Sequence, residues 1–334
     1  MNIMITGGLG VNGAWVTRQL LEQGHTPVVY ENRMDTTLVT DIIDKLDIVI
    51  GDIMDLATVI RTIKEHNIKR ICHLAAMLPD AAQANPIAGF QVNAIGTLNI
   101  LEAARIMDVE RVIFISTIGV YAPFTGEYGY PTYKPVNEDY LKYPTSRLHG
   151  VYDTAKLANE LMCIQYYQNY GLDFAAVRFG RIYGLGKTTR HGYYTILETM
   201  IANAIQGKHT VITDGGDEKS DLVYVKDVAN GIVLACFAQN LKHHAFNIAS
   251  GQGHKLGDFA NAIKEIFPKA TFDIGPRLSE SGYCILDISK AENELGYQPR
   301  FTLEEGIRDC VKSMKRLNIS PVSTPWKAEN TWLI

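Results

Sequence analysis

Near its start the chain reads Asn2-Ile3-Met4-Ile5-Thr6-Gly7-Gly8-Leu9-Gly10-Val11-Asn12-Gly13, and the rest of the architecture follows from what this segment can be. Residues 2–6 form a short apolar strand, and a helical segment runs from about Ala14 to Gln23. Glycines 8, 10 and 13 match Gly-x-Gly-x-x-Gly, and 7, 10 and 13 match the looser Gly-x-x-Gly-x-x-Gly. Between a strand and a helix, such glycines let a pyrophosphate approach the backbone N–H groups of the helix amino terminus with no Cβ in the way. The plainer alternative is an ordinary strand-to-helix turn. A second strand, Pro27 to Tyr30, ends in Glu31, eighteen residues beyond Gly13. A carboxylate there accepts hydrogen bonds from ribose hydroxyls and repels a 2′-phosphate, which favours NAD over NADP. Arg33, two residues on, would instead attract that phosphate.

Outward from this unit, strand and helix patterns alternate. Leu46 to Ile50 is a buried-type run leading into Gly51-Asp52-Ile53, and Leu56 to His66 is an amphipathic helix. Arg70 to Leu74 is a strand leading into Ala75-Ala76; Pro86 to Met107 reads as one long helix; Arg111 to Ser116 is a further strand. This alternation predicts an α/β fold, a parallel sheet with helices on both faces. Ligands of such sheets sit beyond the carboxyl ends of the strands. The glycines, Glu31, Asp52, Ala75-Ala76 and Ser116-Thr117 all fall at such ends.

The segment from about Val151 to Tyr170 has helix composition, with Leu157, Leu161 and Ile164 spaced as one buried stripe. Residues four apart share a helix face, so Tyr152 and Lys156 project side by side. A phenol has an ordinary pKa of about 10. A nearby ammonium favours the phenolate and draws that value toward the working range, so the pair reads as a proton-transfer device for an alcohol or carbonyl. The plain alternative is a solvated lysine beside a surface tyrosine. Residues 119–152 carry seven tyrosines among prolines and glycines, a long loop whose aromatics either stack on a substrate or pack as a lid. Beyond strand Phe174 to Phe179 the pattern changes, with a loop at 183–192, a helix from Thr195 to Gln206, and short alternating elements to Lys315. We therefore expect a dinucleotide-binding domain over 1–179, a smaller lobe over 180–320 partly interleaved with it, and a tail over 321–334 that is either a docked arm, which Trp326 and Trp332 favour, or disordered.

Composition narrows the classes. The 32 basic and 36 acidic side chains include no basic run, which speaks against nucleic acid or an anionic membrane surface. No apolar run reaches the roughly 18 residues of a membrane span. No secretory leader is visible, so a cytoplasmic protein is expected. Five single cysteines (Cys72, Cys163, Cys236, Cys284, Cys310) lack any Cys-x-x-Cys or Cys/His cluster and read as core filler, with no metal site.

Taken in order, these residues resemble the extended short-chain dehydrogenase/reductase family, the NAD-dependent epimerases and dehydratases. The resemblance covers nearly the whole chain. It rests on the glycine segment, Gly51-Asp52-Ile53, His73-Leu74-Ala75-Ala76, Asn93-Ala94-Ile95-Gly96-Thr97, Ser116-Thr117 before Val120-Tyr121, Tyr152-Asp153-Thr154-Ala155-Lys156, and Arg178 through Gly184. It implies a Rossmann-like doubly wound parallel sheet with a smaller carboxyl-terminal α/β substrate lobe. It also implies that Tyr152 is the general acid/base, that Lys156 lowers the tyrosine pKa and bonds the nicotinamide ribose, and that Thr117 bonds the substrate oxygen. The cofactor site it implies comprises Gly7, Leu9, Gly10, Val11, Asn12, Gly13, Glu31, Asn32, Arg33, Asp52, Ile53, Leu74, Ala75, Ala76 and Asn93 with Tyr152 and Lys156. Asp52 and Ile53 would hold adenine. Asn93 would be a structural helper near Lys156, or a plain helix-interior hydrogen bond. His73 and His191 are left out as structural. A homodimer through the helices near 86–107 and 151–170 is implied as well.

Two departures bear on the substrate. Nucleotide-sugar members commonly carry Asn where this chain has Arg181, and many carry Arg where it has Ser220, so a bidentate phosphate clamp is lost. Arg181, Lys187 or Arg190 would replace it, with Thr117 and Ile118 also lining the substrate. Ile118-Gly119 stands where dehydratases of the family often have Asp-Glu, which disfavours elimination. The expectation is an NAD-dependent oxidoreductase acting at a secondary alcohol or ketone carbon of a sugar-like or small anionic molecule. The rivals are a nucleotide-sugar epimerase that retains its NAD, and a non-catalytic dinucleotide-binding redox sensor or scaffold.

Overall fold

The computed structural model describes residues 1–143, 150–187, 196–278 and 282–322. Its strands are β1 Asn2–Thr6, β2 Thr26–Glu31, β3 Asp47–Ile50, β4 Arg70–His73, β5 Arg111–Ile115, β6 Asp173–Phe179, β7 Arg181–Tyr183, β8 Thr210–Ile212, β9 Ser220–Tyr224, β10 Ala245–Ile248, β11 Gly253–His254 and β12 Phe272–Ile274. The helices are α1 Val11–Glu22, α2 Leu56–Glu65, α3 Pro79–Ala84, α4 Pro86–Phe90, α5 Gly96–Ile106, α6 Gly150–Tyr170, α7 Ile196–Gln206, α8 Val225–Phe237, α9 Leu256–Ile266, α10 Ser289–Leu295 and α11 Leu303–Arg316. Seven strands form one sheet in the order β10-β6-β5-β4-β1-β2-β3. Every pairing in it is parallel.

Strand alternation explains the two cores. Ile3 and Ile5 point to one face of the sheet, with Ile113 and Val177, while Met4 points to the other, with Val28, Val112 and Phe114. Such strands are buried on both sides, so they read as continuous apolar runs. Each fully buried side chain of this size contributes about 1.5–3 kcal/mol. Helix α2 is started by Asp55, whose Oδ1 accepts from Thr58 N at 3.1 Å. Helix α11 starts on a reciprocal Thr302/Glu305 box. The chain order reverses between β1 and β4, which opens the crevice at their carboxyl ends. The seventh strand, β10, comes from residues 245–248 and pairs with β6, so the second half of the chain completes the large sheet. Residues beyond 180 also build two small sheets, β11-β9-β7 and β12-β8.

Three expectations change. The stripe of Leu157, Leu161 and Ile164 does not face the core: Leu161 is 57% and Ile164 38% exposed. Helix α6 buries Asp153, Ala155, Lys156, Asn159, Glu160 and Cys163 instead, because polar partners on the sheet receive that face. The long helix over 86–107 is interrupted by one π turn, Gln91–Ile95, between α4 and α5. Strands β7 and β9 were not foreseen; β9 is buried along its whole length and so shows no alternation. The expected docked tail with Trp326 and Trp332, like His191, lies outside the described residues.

Candidate active site

The glycine turn is built by contact. Gly7 has φ +72°, and a Cβ on it would lie 2.8 Å from Ala75 N. A Cβ on Gly13 would sit 2.1 Å from Gly7 O. Gly10 N donates to Gly7 O at 3.0 Å, and Gly10 caps α1 with backbone alone, no side chain satisfying its first N–H groups. That leaves Val11, Asn12 and Gly13 at an uncapped helix amino terminus, the geometry that holds a diphosphate. Glu31, at the end of β2, accepts from Leu9 N through Oε1 at 2.9 Å, so its carboxylate faces the turn. Asn32 is exposed, and Arg33 is 77% exposed and leans toward Asp35. Asp52 is exposed, with Oδ1 accepting from Met54 N at 2.9 Å, while Ile53 is buried against Gly96. Leu74, Ala75 and Ala76 follow β4 half-buried; Ala75 N donates to Thr6 Oγ1 at 3.2 Å. The glycine turn, Glu31, Asp52 and Ala75 all lie at or just beyond the carboxyl ends of neighbouring parallel strands, and the uncapped helix terminus with its Cβ-free turn fits a dinucleotide's diphosphate.

A buried polar chain runs from this turn to α6. His73 Nδ1 meets Thr6 Oγ1 at 2.7 Å and its Nε2 meets Thr97 Oγ1 at 3.0 Å. Asn159 Nδ2 on α6 donates to the same Thr97 Oγ1 at 3.1 Å and to Asn93 O at 2.6 Å. Burial, helped by Lys156, holds His73 at about 3, so it is a neutral bridge and not an acid or base. Asn93 departs from the expected cofactor contact. Its Oδ1 accepts from Met77 N at 2.7 Å and its Nδ2 donates to Met77 O at 2.8 Å, so both ends brace the loop after β4.

On α6, Lys156 is fully buried and its Nζ donates to Ile115 O, the last residue of β5, at 2.7 Å. Burial lowers it to about 8. The ammonium lies 5.4 Å from the centre of the Tyr152 ring. Burial, reinforced by the Asp153 carboxylate, pushes the Tyr152 phenol above its ordinary value. Lys156, expected to lower it, gives one of its N–H groups to Ile115 O, while burial acts on the phenol in the opposite direction. Thr117, two residues past Ile115, is half-buried, and its Oγ1 accepts from Gly119 N at 3.0 Å, which leaves the hydroxyl proton to donate elsewhere. Ile118, also half-buried, begins the turn that follows.

The expected substrate cations separate. Arg181, in β7, is half-buried with its guanidinium carbon 4.8 Å from the Tyr283 ring, and it forms no ion pair among the described residues. Lys187 departs from the picture of a free cation: it is buried, its Nζ donates to Ile182 O at 2.5 Å, and burial lowers its pKa. Arg190 lies outside the described residues. The tyrosines after Thr117 mostly pack on one another: Tyr140 lies edge-on to Tyr121 and Tyr128, and Tyr133 OH accepts from Lys219 N at 3.1 Å. Sequence reasoning saw Ser116, Tyr121 and Arg178 only inside motifs, and gave Glu160 no role. The available signal was the spacing of Tyr152, Lys156 and Glu160, four apart on one face.

The chain matches the model of the NAD-dependent epimerase/dehydratase family over residues 3–249. It is 28% identical over 319 residues to the UDP-glucose 4-epimerase of Mycolicibacterium smegmatis, covering 93% of this chain and 98% of that protein. Its structure is similar to that of UDP-glucose 4-epimerase with UDP-glucose from Thermotoga maritima, with TM-score 0.81, 27% identity, 95% of this chain and 99% of that one. It is also similar to the Thermus thermophilus UDP-glucose 4-epimerase complex with NAD, with TM-score 0.79, 26% identity, 94% of this chain and 99% of that one. With the crevice, the glycine turn and the Tyr152/Lys156 helix in place, the chain belongs to the NAD-dependent epimerase/dehydratase family.

Proposed function

We propose that this protein is an NAD-linked enzyme acting at a secondary alcohol or ketone carbon of a sugar-like or small anionic substrate. The observation that carries the reading is the bond from Lys156 Nζ to Ile115 O, which ties the helix bearing Tyr152 to the strand end that leads into Thr117. The glycine turn and α1 terminus hold the diphosphate, Glu31 takes the adenosine ribose, and Asp52 with Ile53 takes adenine. NAD is preferred to NADP because the Glu31 carboxylate faces the turn while the exposed Arg33 pairs with Asp35. When bound, NAD accepts a hydride from the substrate carbon or returns one to it. Tyr152, held protonated by its burial, donates to a carbonyl oxygen in the reducing direction and recovers the proton in the oxidising one. Thr117 donates its free hydroxyl proton to the same oxygen. Arg181 receives an anionic group of the substrate, since Lys187 is spent on Ile182 O. The small sheets beyond residue 180 form the substrate lobe.

Epimerisation of a nucleoside-diphosphate sugar with NAD retained is the second reading, favoured by the UDP-glucose 4-epimerases that the chain resembles over more than nine-tenths of its length. Exposed apolar side chains on the α4–α5 run and on α6 (Ile87, 75% exposed, with Phe90, Ile95, Leu161 and Ile164) fit a homodimer that buries them against a second copy. One experiment separates the readings. Purified protein is assayed for tightly held NAD and for UDP-galactose turnover with no dinucleotide added. Turnover without addition selects the epimerase; a requirement for exchanging NAD selects the dehydrogenase. A calorimetric titration in which neither NAD nor NADP binds sinks both.

A further inference from the structure

Beneath the proposed proton-handling residues lies a buried charged assembly that their chemistry leaves unexplained. Ser116 Oγ donates to Glu160 Oε1 at 2.5 Å. Arg178 grips the same carboxylate twice, Nε to Oε1 at 2.8 Å and Nη2 to Oε2 at 2.5 Å. Through Nη1, Arg178 also donates to Tyr121 OH at 2.9 Å and to Glu138 O at 3.1 Å. Tyr121 OH in turn donates to Asn247 Oδ1 at 2.7 Å. Glu160 is 5% and Arg178 1% exposed. A buried ion pair is weak evidence for stability, because the cost of desolvating both charges offsets their attraction, and apolar residues of the same volume serve as well. Its use here lies in what it connects.

Tyr152, Lys156 and Glu160 follow one another at four-residue intervals along α6, so they form a single stripe facing the sheet. Lys156 holds the carbonyl of Ile115, and Glu160 holds the hydroxyl of Ser116. Two successive residues of the strand end are therefore pinned to two successive turns of the helix, and the next residue is Thr117. We propose that Glu160 is a positioning residue. Kept oriented by Arg178, it fixes through Ser116 where Thr117 stands relative to Tyr152, and the Arg178–Tyr121–Asn247 arm extends the same brace to the tyrosine-rich segment and β10. The inference rests on the proposed roles of Thr117 and Tyr152. Displacing a reacting group by about 1 Å costs on the order of 100-fold in rate, so a brace of this kind acts on turnover and not on affinity.

Glu160→Gln strips a buried guanidinium of its partner, so Ser116→Ala, which leaves the ion pair whole, is the decisive variant. Protein labelled with carbon-13 at the tyrosine Cζ is titrated by NMR, with Tyr152 assigned by its loss in Tyr152→Phe. Cys236→Ala, an equally buried change on α8, remote from this stripe, serves as the control. We expect Ser116→Ala to move the Tyr152 resonance and its titration midpoint by about half a unit or more, while Cys236→Ala leaves both in place. With UDP-galactose as probe, kcat falls roughly 10- to 100-fold and KM stays within twofold. A Tyr152 signal in Ser116→Ala identical to that of the parent protein overturns the positioning role, whatever the substrate. Undiminished turnover in Tyr152→Phe overturns the proton-transfer reading instead, and the two failures are thereby distinguished.

Discussion

Replacing Gly13 by alanine tests the foundation of the crevice. The added methyl would lie 2.1 Å from Gly7 O, 2.7 Å from Gly8 Cα and 2.9 Å from Gly7 C. All three neighbours are backbone, so no side-chain rotation relieves the overlap, and either α1 or the turn must shift by about 1 Å. Overpacking of this kind costs about 3–5 kcal/mol, at the upper end for single substitutions. For a chain of this size that lowers Tm by roughly 5–10 °C. The same shift spreads the N–H groups that receive a diphosphate, so NAD affinity falls at least about tenfold, which is about 1.4 kcal/mol. Gly257→Ala supplies the control: it lies in α9, a Cβ there meets nothing within 4 Å, and the change stabilises by about 0.5 kcal/mol. Calorimetry gives Tm and NAD affinity for both variants. A Gly13→Ala protein that melts within 2 °C of the parent, roughly the effect of 1 kcal/mol, and binds NAD within twofold would refute the packing argument.

Four further outcomes follow from the site. Tyr152→Phe keeps NAD affinity within about twofold and loses turnover by about 10²- to 10⁴-fold; retained turnover removes the phenol from the chemistry. Lys156 is lowered to about 8 from 10.5, so the unfolded chain binds more protons between those values, and stability from this group rises with pH across that window. Lys156→Met, compared with the parent by urea unfolding at pH 8 and 10, therefore shows a smaller rise, and equal slopes contradict the burial argument. Glu31→Ser removes the charge that faces the turn and raises NADP affinity relative to NAD by about tenfold or more, read by calorimetry with both dinucleotides. Leu161→Asp places a charge on the exposed apolar face of α6 and converts a dimer to monomers in light scattering; an unchanged mass argues against that interface.

The sheet, and the strand ends where a dinucleotide is expected, were legible in the order of residues alone. Strand runs buried on both faces, glycines at a strand-to-helix turn and the four-residue step from Tyr152 to Lys156 are local signals, written in the backbone needs of a few neighbouring residues. What it left open was which face of each element is turned inward. Leu157, Leu161 and Ile164 have the spacing of a core stripe, yet α6 turns Lys156, Asn159 and Glu160 to the sheet, because Ile115 O, Thr97 and Ser116 wait there to satisfy them. Those partners lie 41 to 62 residues away along the chain, beyond any local periodicity. Lys187 likewise reads as a free cation until Ile182 O and its burial are seen together. A polar side chain is buried only where the tertiary structure supplies its hydrogen-bond partners, and that supply is settled by folding the whole chain.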